Sequence, residues 1–195
     1  VLWGERMSDG RMSKEDLRGL AKLLNDKYEV VFGDVDAMLA VLDHCVVRTL
    51  QSGEVLCEEK QTGDEMYFLL AGTIEVKKRD LTGIVRRLTK LPAPSMFGHM
   101  ALVDSSPRSA TCVAKREALV AVLTQRGYDS LLRNPSRAGA VMRNLLLSTM
   151  ASQLANANDQ ILSMIDPAGP LAVDDDATSE DILFQTSSTL EGWRR

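Results

Sequence analysis

Residues 52–76 read SGEVLCEEKQTGDEMYFLLAGTIEV and carry the clearest β-structure pattern of the chain. Short apolar runs alternate here with turns that contain Gly53, Gly63 and Gly72. Short runs rich in Val, Ile, Tyr and Phe, bounded by Gly, Ser and Asp, are typical of strands. Glycine is the residue that adopts positive φ without strain, so we expect turns of positive φ at all three glycines.

The same pattern extends in both directions, from Val46 to Thr124. Seven runs share it: VVRTL, EVLCEE, EMYFLLAG, TIEVKKR, IVRRLTKL, ATCVA and EALVAVLT. Turn residues separate them, including the segment from Pro92 to Pro94. Many short strands at short intervals predict a β-sandwich or barrel.

Helical patterns flank this region. Ser13 precedes a run with leucines at helical spacing and acidic residues in its first turn, which predicts an N-capped helix. A second helix is predicted at 34–43, a short one from Gln125, and a long one at 136–165. We therefore expect a mainly β fold with flanking helices. The expected organisation is an N-terminal helical segment at 1–44, the barrel with its C-terminal helices at 45–165, and a flexible acidic tail at 166–195.

The long helix carries a narrow apolar stripe. Its members are Leu146, Met150, Leu154, Ala157, Ile161 and Met164, spaced by threes and fours. A stripe this narrow is typical of a coiled-coil-like seam, which would make the helix 136–165 a homodimer contact. The alternative is that the stripe packs against the chain's own barrel.

The charge balance bears on the partners. The chain of 195 residues has a net charge of −4, so nothing suggests the basic surface of a nucleic-acid-binding protein. No apolar run approaches the roughly 20 residues that span a bilayer, and no signal peptide is evident, so we expect a cytoplasmic protein without membrane insertion.

The cysteines and histidines do not suggest a metal site. The chain has three cysteines, Cys45, Cys57 and Cys112, with no CxxC pair, and two histidines that lack ligand spacing. Each cysteine lies in an apolar run. We interpret the cysteines as buried free thiols of a reducing compartment, and we expect no metal and no cofactor.

The second informative stretch, FGHMALVDSSPRSATCVA at 97–114, gives a resemblance when it is read together with 52–76. The two stretches resemble the cyclic nucleotide-binding domain family, the module of catabolite-activator-type regulators, kinase regulatory subunits and cyclic-nucleotide-gated channels. The shared positions are Gly53, Gly63-Asp64, Gly72, Phe97-Gly98, Ala101-Leu102 and Pro107-Arg108. The resemblance implies a double-stranded β-helix (jelly-roll) barrel with N-terminal helices and a long C-terminal helix.

The resemblance also implies a phosphate-binding cassette at 97–109. A short helix would start at Gly98, and its first free amides, those of Met100 and Ala101, would face a cyclic phosphate. Helix N-termini attract anions because their amides are unpaired and carry partial positive charge. Arg108 would grip two phosphate oxygens with its planar fork, and Ser109 would add a hydroxyl beside it.

His99 is the departure from the family pattern, which has Glu at this position. That carboxylate accepts a hydrogen bond from the ribose 2′-hydroxyl. A neutral imidazole accepts through one ring nitrogen only, so we expect a weaker ribose contact. In family members a residue of the long helix covers the base, and Asn156 and Asn158 are the candidates here.

These residues predict a non-catalytic regulatory module. It would bind a cyclic nucleotide, cAMP in preference to cGMP, and couple binding to movement of the C-terminal helix. The alternative, favoured by His99, is a ligand-silent domain used for dimerisation or protein docking. No catalytic motif is evident, and no helix-turn-helix follows residue 165, so we expect neither an enzyme nor DNA binding.

Overall fold

The computed structural model describes residues 12–28, 34–133 and 135–165. The chain divides into two compact units, with the boundary after Met150. The strands in the described part are β1 Val46–Leu50, β2 Val55–Cys57, β3 Glu65–Ala71, β4 Thr73–Arg79, β5 Val85–Pro92, β6 Ser95–Phe97, β7 Thr111–Ala114 and β8 Ala118–Thr124. The helices there are α1 Lys14–Tyr28, α2 Val35–Leu42, α3 Met100–Asp104, α4 Gln125–Arg133 and α5 Arg137–Ile165.

The strands form two antiparallel sheets of four strands each. Their orders are β1-β8-β3-β6 and β2-β7-β4-β5. Neighbours in space are mostly distant in sequence, as in β1 with β8 and β2 with β7, so the two sheets wind together as a double-stranded β-helix. The predicted jelly-roll fold with flanking helices is confirmed. Each of the seven predicted runs contains a strand, and β6 is an additional strand that the sequence pattern did not predict.

Strand β3 is buried on both faces. Met66, Phe68 and Leu70 belong to an apolar cluster shared with α1, α2, α4 and α5. Tyr67 and Leu69, which alternate with them, belong to a second cluster formed with residues of the other sheet. Because successive side chains of a strand point to opposite faces, a strand buried on both sides reads as a continuous apolar run. This explains why EMYFLLA shows no polar alternation.

The predicted helix starts are observed. The amide of Asp16 donates to Ser13 Oγ at 3.1 Å, and the amide of Asp36 donates to Asp34 Oδ1 at 3.0 Å. The amide of Gly139 donates likewise to Ser136 Oγ at 3.1 Å. Each of these bonds satisfies an amide that has no partner inside its helix, which fixes where the helix begins.

The turn glycines follow the expectation at two of three positions. Gly53 and Gly72 have φ values of 84° and 90°. Gly63 does not adopt positive φ, so that prediction is wrong for Gly63. The need for glycine at position 63 has a different cause, which lies in the site described below.

The apolar stripe of α5 is buried only near its N-terminal end. Leu146 is 6% exposed and belongs to the helix-side cluster. Met150, Leu154 and Ile161 are 37%, 64% and 54% exposed. Of these four residues, packing on the barrel accounts for Leu146 alone, and the homodimer seam stays a prediction. The predicted acidic tail at 166–195 lies outside the described residues. No helix in the described ranges has the length and apolar character needed to cross a membrane.

Gly19 offers a test of the first helix. It lies in the middle of α1 on the exposed side, and a Cβ added there would meet nothing within 4 Å. Alanine is favoured over glycine inside a helix, so we expect Gly19→Ala to raise the free energy of unfolding by about 0.8–1 kcal/mol. Urea denaturation measures this value. A stability loss would contradict the helical placement of Gly19.

Candidate anion-binding site

Three segments of the first unit surround the side chain of Arg108. Strand β3 pairs with β6 in a register that places Tyr67 opposite Phe97. Gly98 follows directly, at the end of β6. The loop before β3 brings Gly63 against the same side chain. The pairing of β3 with β6 brings Tyr67 and Gly98 together, and Gly63 lies in the connection that leads into β3.

The backbone of Arg108 is fixed by the loop between β2 and β3. The Lys60 amide donates to the Arg108 carbonyl at 2.8 Å, and the Arg108 amide donates to the Gln61 carbonyl at 2.9 Å. This reciprocal pair resembles one rung of an antiparallel ladder. The arginine therefore projects from a held backbone, although it lies in a loop.

The guanidinium of Arg108 is buried, with the residue only 7% exposed. Its Nη1 donates to the Gly98 carbonyl at 3.0 Å, and its Nη2 donates to the Tyr67 hydroxyl at 3.1 Å. The guanidinium carbon lies 5.2 Å from the centroid of the Tyr67 ring, within the range of a cation–π contact. Tyr67 is positioned in turn by the Phe97 ring, 5.3 Å away between centroids.

Two glycines leave room for this guanidinium. A Cβ at Gly63 would lie 2.5 Å from Arg108 Nε and 2.7 Å from its Cζ. A Cβ at Gly98 would lie 2.9 Å from Nη1, and Gly98 also has φ of 75°. Gly98 is required for both conformation and space, whereas Gly63 is required for space alone. Both glycines therefore permit the close approach of backbone to the arginine.

The Tyr67 hydroxyl connects Arg108 to Glu65. It accepts from Arg108 and donates to Glu65 Oε2 at 3.1 Å. Burial raises the pKa of Tyr67 above its usual value, the Glu65 carboxylate adds to the rise, and the Arg108 guanidinium opposes it. Tyr67 therefore stays protonated at neutral pH and can act as donor and acceptor at once.

Arg108 has no carboxylate partner within 4.0 Å among the residues described. None of the ion pairs within 4.0 Å in those residues includes it. Its two side-chain bonds go to a carbonyl and a hydroxyl, and they use two of five N–H groups. Burying a charge is unfavourable unless it is paired, so the arrangement favours an anion that would complete the pairing.

The short helix α3 follows Gly98 and begins at Met100, not at Gly98 as the sequence suggested. The positive φ of Gly98 places it outside the helix. His99 takes the N-cap position without a side-chain capping bond, and it is 2% exposed. Ala101 is also buried, at 3%, whereas Met100 is 40% exposed. The amides of Met100 and Ala101 are the first of α3, so they have no acceptor inside the helix.

The remaining predicted residues lie in two places. Ser109 follows Arg108 and is exposed. Asn156 and Asn158 lie on α5 in the second unit, and both are exposed. The structure thus brings Gly98 against Arg108, with His99, Met100, Ala101 and Ser109 next to them in the chain. The roles of the two asparagines stay predictions.

The sequence did not identify Tyr67, Glu65 and Gly63 as site residues. Tyr67 lies within a continuous apolar run, and nothing in that run tells which face it points to. Its hydroxyl was the available signal, because a buried Tyr usually finds a hydrogen-bond partner. Gly63 was interpreted as a turn glycine, and only the position of Arg108 shows its role.

A cavity of about 320 Å³ lies in the first unit, beside the β2–β3 loop that holds the backbone of Arg108. It is lined by Glu58, Glu59, Lys60, Lys77, Lys78, Arg79, Val85 and Thr111. None of the residues predicted from the sequence lines it. Within the described ranges, no group of three or more His, Cys, Asp or Glu could hold a metal ion.

Comparison with known sequences gives one family and several relatives. Residues 47–134 match the family described as the cyclic nucleotide-binding domain. A cAMP-dependent protein kinase regulatory subunit of Aspergillus fumigatus is 37% identical over 81 residues, which are 42% of this chain and 19% of that protein. A cyclic nucleotide-gated potassium channel of Rhizobium etli is 32% identical over 57% of this chain and 30% of that protein. The chain thus matches a fifth to a third of the length of these relatives.

Solved structures share the fold. The catabolite activator protein of Thermus thermophilus is 25% identical, with a TM-score of 0.59 over 65% of this chain and 57% of that chain. A cyclic nucleotide-binding domain from Methylobacillus flagellatus is 24% identical, with a TM-score of 0.65 over 76% of this chain and 82% of that one. The second likeness shows the fold alone.

Proposed function

We propose, from the match of residues 47–134 to the cyclic nucleotide-binding domain family, that the chain is a member of this family and a regulatory module that binds cAMP in preference to cGMP. The proposal assigns it a binding function and no catalytic step. The observation that carries it is Arg108, a buried guanidinium without a carboxylate partner among the described residues. The cyclic phosphate would supply the missing negative charge.

The phosphate would bind between Arg108 and the start of α3. Free N–H groups of the guanidinium would donate to its oxygens in charge-assisted bonds, which are roughly twice as strong as neutral ones. The amides of Met100 and Ala101 and the Ser109 hydroxyl would complete the set. Tyr67 and Gly98 would keep the guanidinium oriented through the bonds they already accept.

The preference for cAMP rests on the relatives. The Aspergillus fumigatus protein is named for cAMP dependence, and so is a Haemophilus influenzae relative, a cAMP-activated global transcriptional regulator that is 27% identical over 134 residues. Ser109 is compatible with either nucleotide. Asn156 and Asn158 are proposed to contact the base, since an amide can donate and accept. Binding of the nucleotide would then shift the position of α5, and a partner protein would respond to this movement.

Parallel calorimetric titrations of the purified chain with cAMP and cGMP test the preference. We expect one site per chain and a lower dissociation constant for cAMP. A lower constant for cGMP would contradict the proposed preference but leave nucleotide binding itself intact. Light scattering with and without nucleotide tests the homodimer that the exposed stripe of α5 would form.

His99→Glu tests the ribose contact. A carboxylate would accept a charge-assisted bond from the 2′-hydroxyl, so we expect tighter binding of cAMP by about 10- to 100-fold, or 1.5–3 kcal/mol. Because position 99 is 2% exposed, the carboxylate would also destabilise the unliganded protein. Calorimetry and thermal melting measure the two effects.

His99→Gln is the matched control, since it changes the shape of the side chain without adding a charge. Its affinity should stay close to that of the wild type. If His99→Glu binds cAMP no more tightly than wild type, His99 does not contact the ribose.

The relatives give no support to the alternative of a ligand-silent domain used for docking or dimerisation. We further propose a cytoplasmic location. The cysteines that the structure describes, Cys45, Cys57 and Cys112, are free thiols, which fits a reducing compartment.

A further inference from the structure

Cys57 and Cys112 lie directly opposite each other on the neighbouring strands β2 and β7. An irregularity of the ladder creates this pairing. Val55 pairs with Val113, yet Cys57, two residues further on, pairs with Cys112 and not with Thr111. The extra residue of β2 is a β-bulge, a feature that re-aims side chains. Both cysteines belong to the apolar cluster between the sheets.

The two cysteines are cross-strand neighbours in the same apolar cluster. Both residues are buried, at 6% and 7% exposed. Directly opposite residues of an antiparallel pair have Cα atoms about 4.5–5.5 Å apart. That separation lies inside the range of about 4.4–6.8 Å that disulfides require. Cross-strand neighbours of a regular ladder therefore have the Cα separation that a disulfide needs.

We propose that Cys57 and Cys112 form a redox-sensitive dithiol site, which a small hydroperoxide converts to an intrachain disulfide. The resting state holds both as free thiols. A cross-strand pair in a reducing compartment is a reversible site and not a permanent crosslink.

Cys57 is the sulfur that reacts first. Interaction with the neighbouring Cys112 thiol lowers the pKa of Cys57 to about 7; burial opposes this shift, the Arg108 guanidinium adds to it, and the Glu65 carboxylate opposes it. By contrast, burial raises the pKa of Cys45 to about 12. Because the thiolate is the reactive form of cysteine, these opposite shifts favour Cys57 over Cys45 as the first sulfur to be oxidised.

The chemistry balances in two steps. The Cys57 thiolate attacks one peroxide oxygen, the O–O bond breaks, and the departing oxygen leaves as hydroxide or alkoxide and takes up a proton; Cys57 becomes a sulfenic acid. The Cys112 sulfur then attacks the Cys57 sulfur and displaces hydroxide, which leaves as water with the Cys112 proton. Each sulfur loses one electron overall, and the two peroxide oxygens gain two.

This site is joined to the anion-binding site through the backbone. Cys57 Sγ lies 4.0 Å from the Ala110 carbonyl, two residues after Arg108. The loop that follows Cys57 holds Arg108 through Lys60 and Gln61. A phosphate paired with Arg108 would cancel part of its field at Cys57 and slow the oxidation. This coupling rests on the proposed function, whereas the disulfide itself does not.

The sequence allows a direct test in the full chain. Cleavage after Lys and Arg puts the three cysteines on separate peptides, Cys45 on 28–48, Cys57 on 49–60 and Cys112 on 109–115. The protein is treated with hydrogen peroxide at neutral pH, its remaining thiols are alkylated, and it is digested without reductant. Mass spectrometry should then show peptide 49–60 joined to 109–115, with Cys45 alkylated.

Serine variants test the order of the steps. Cys112→Ser should stop Cys57 at the sulfenic acid, which dimedone traps. Cys57→Ser should leave Cys112 unoxidised, and Cys45→Ser should crosslink as the wild type does. The proposal is overturned if the wild type forms no 57–112 crosslink while glutathione in the same tube is oxidised, or if Cys45 takes part in the crosslink.

A last arm adds saturating cAMP before the peroxide, and we expect crosslinking to slow severalfold. If calorimetry shows that cAMP binds and the crosslinking rate is unchanged, the coupling to Arg108 is wrong. If cAMP does not bind, the proposed function fails. The 57–112 crosslink measured without cAMP still tests the dithiol site independently.

Discussion

Arg108→Ala is expected to weaken cAMP binding by about 2–5 kcal/mol, or roughly 30-fold to several thousand-fold. The variant removes the buried cation that is proposed to pair with the phosphate, and with it the charge-assisted bonds to the phosphate oxygens. Because Arg108 is buried, the loss should exceed that of a surface ion pair. Calorimetric titration of cAMP measures the change.

Two variants control this experiment. Arg108→Lys keeps a positive charge but loses the planar fork and its bonds to Gly98 and Tyr67, so its affinity should lie between wild type and Arg108→Ala. Arg86→Ala removes an exposed arginine that pairs with Asp80 on a surface hairpin, and it should bind cAMP normally. If Arg108→Ala remains folded by circular dichroism and binds cAMP as tightly as wild type, the phosphate site is assigned wrongly.

Gly63→Ala is expected to weaken cAMP binding by about 10- to 100-fold. Because Gly63 does not have positive φ, alanine should cause no backbone strain there. The added Cβ would lie 2.5 Å from Arg108 Nε, so the guanidinium must move. It is the end of a flexible side chain, and the stability loss should be near the low end for overpacking, about 1 kcal/mol. The moved guanidinium loses its charge-assisted bonds to the ligand, which are worth about 1.5–3 kcal/mol.

Gly19→Ala is the matched control for this variant, since the same substitution on α1 meets no neighbouring atom within 4 Å. Titration with cAMP and urea denaturation should be run on both variants. An unchanged affinity in Gly63→Ala would show that the position of the guanidinium does not matter for the ligand. A loss of folding, by contrast, would mean that Gly63 serves the backbone and not the site.

Local signals predicted most of the fold. The helix starts at Ser13 and Asp34 were predictable because each side chain accepts a hydrogen bond from an amide two or three residues further on. Such a cap depends only on a few neighbouring residues. Strand β6, Ser95–Phe97, was not predicted because its three residues follow the proline-containing turn at 92–94 directly, whereas the equally short β2 lies within a longer strand-like run. Strand β6 is held by pairing with β3, a long-range contact that sequence spacing does not report.

The sequence predicted the charged residue of the site, but not the residues that position it. Arg108 and Gly98 were found because the resemblance rests on local motifs. Tyr67 was not, because the register between β3 and β6 decides that it faces Arg108. For Gly63 the sequence predicts a turn. Glycine is needed both where φ is positive and where another group approaches the backbone closely, and the sequence does not tell these two cases apart. The pairing of Cys57 with Cys112 was not predictable from the sequence either, because it depends on a β-bulge in the pairing of β2 with β7.

The central claim is that Arg108 holds the phosphate of a cyclic nucleotide. The most direct measurement is a calorimetric titration of the wild-type chain with cAMP, repeated with Arg108→Ala. We expect saturable binding at one site per chain in the wild type and a loss of affinity of at least about 30-fold in the variant. No saturable heat with millimolar cAMP or cGMP, or wild-type affinity in a folded Arg108→Ala, would contradict it.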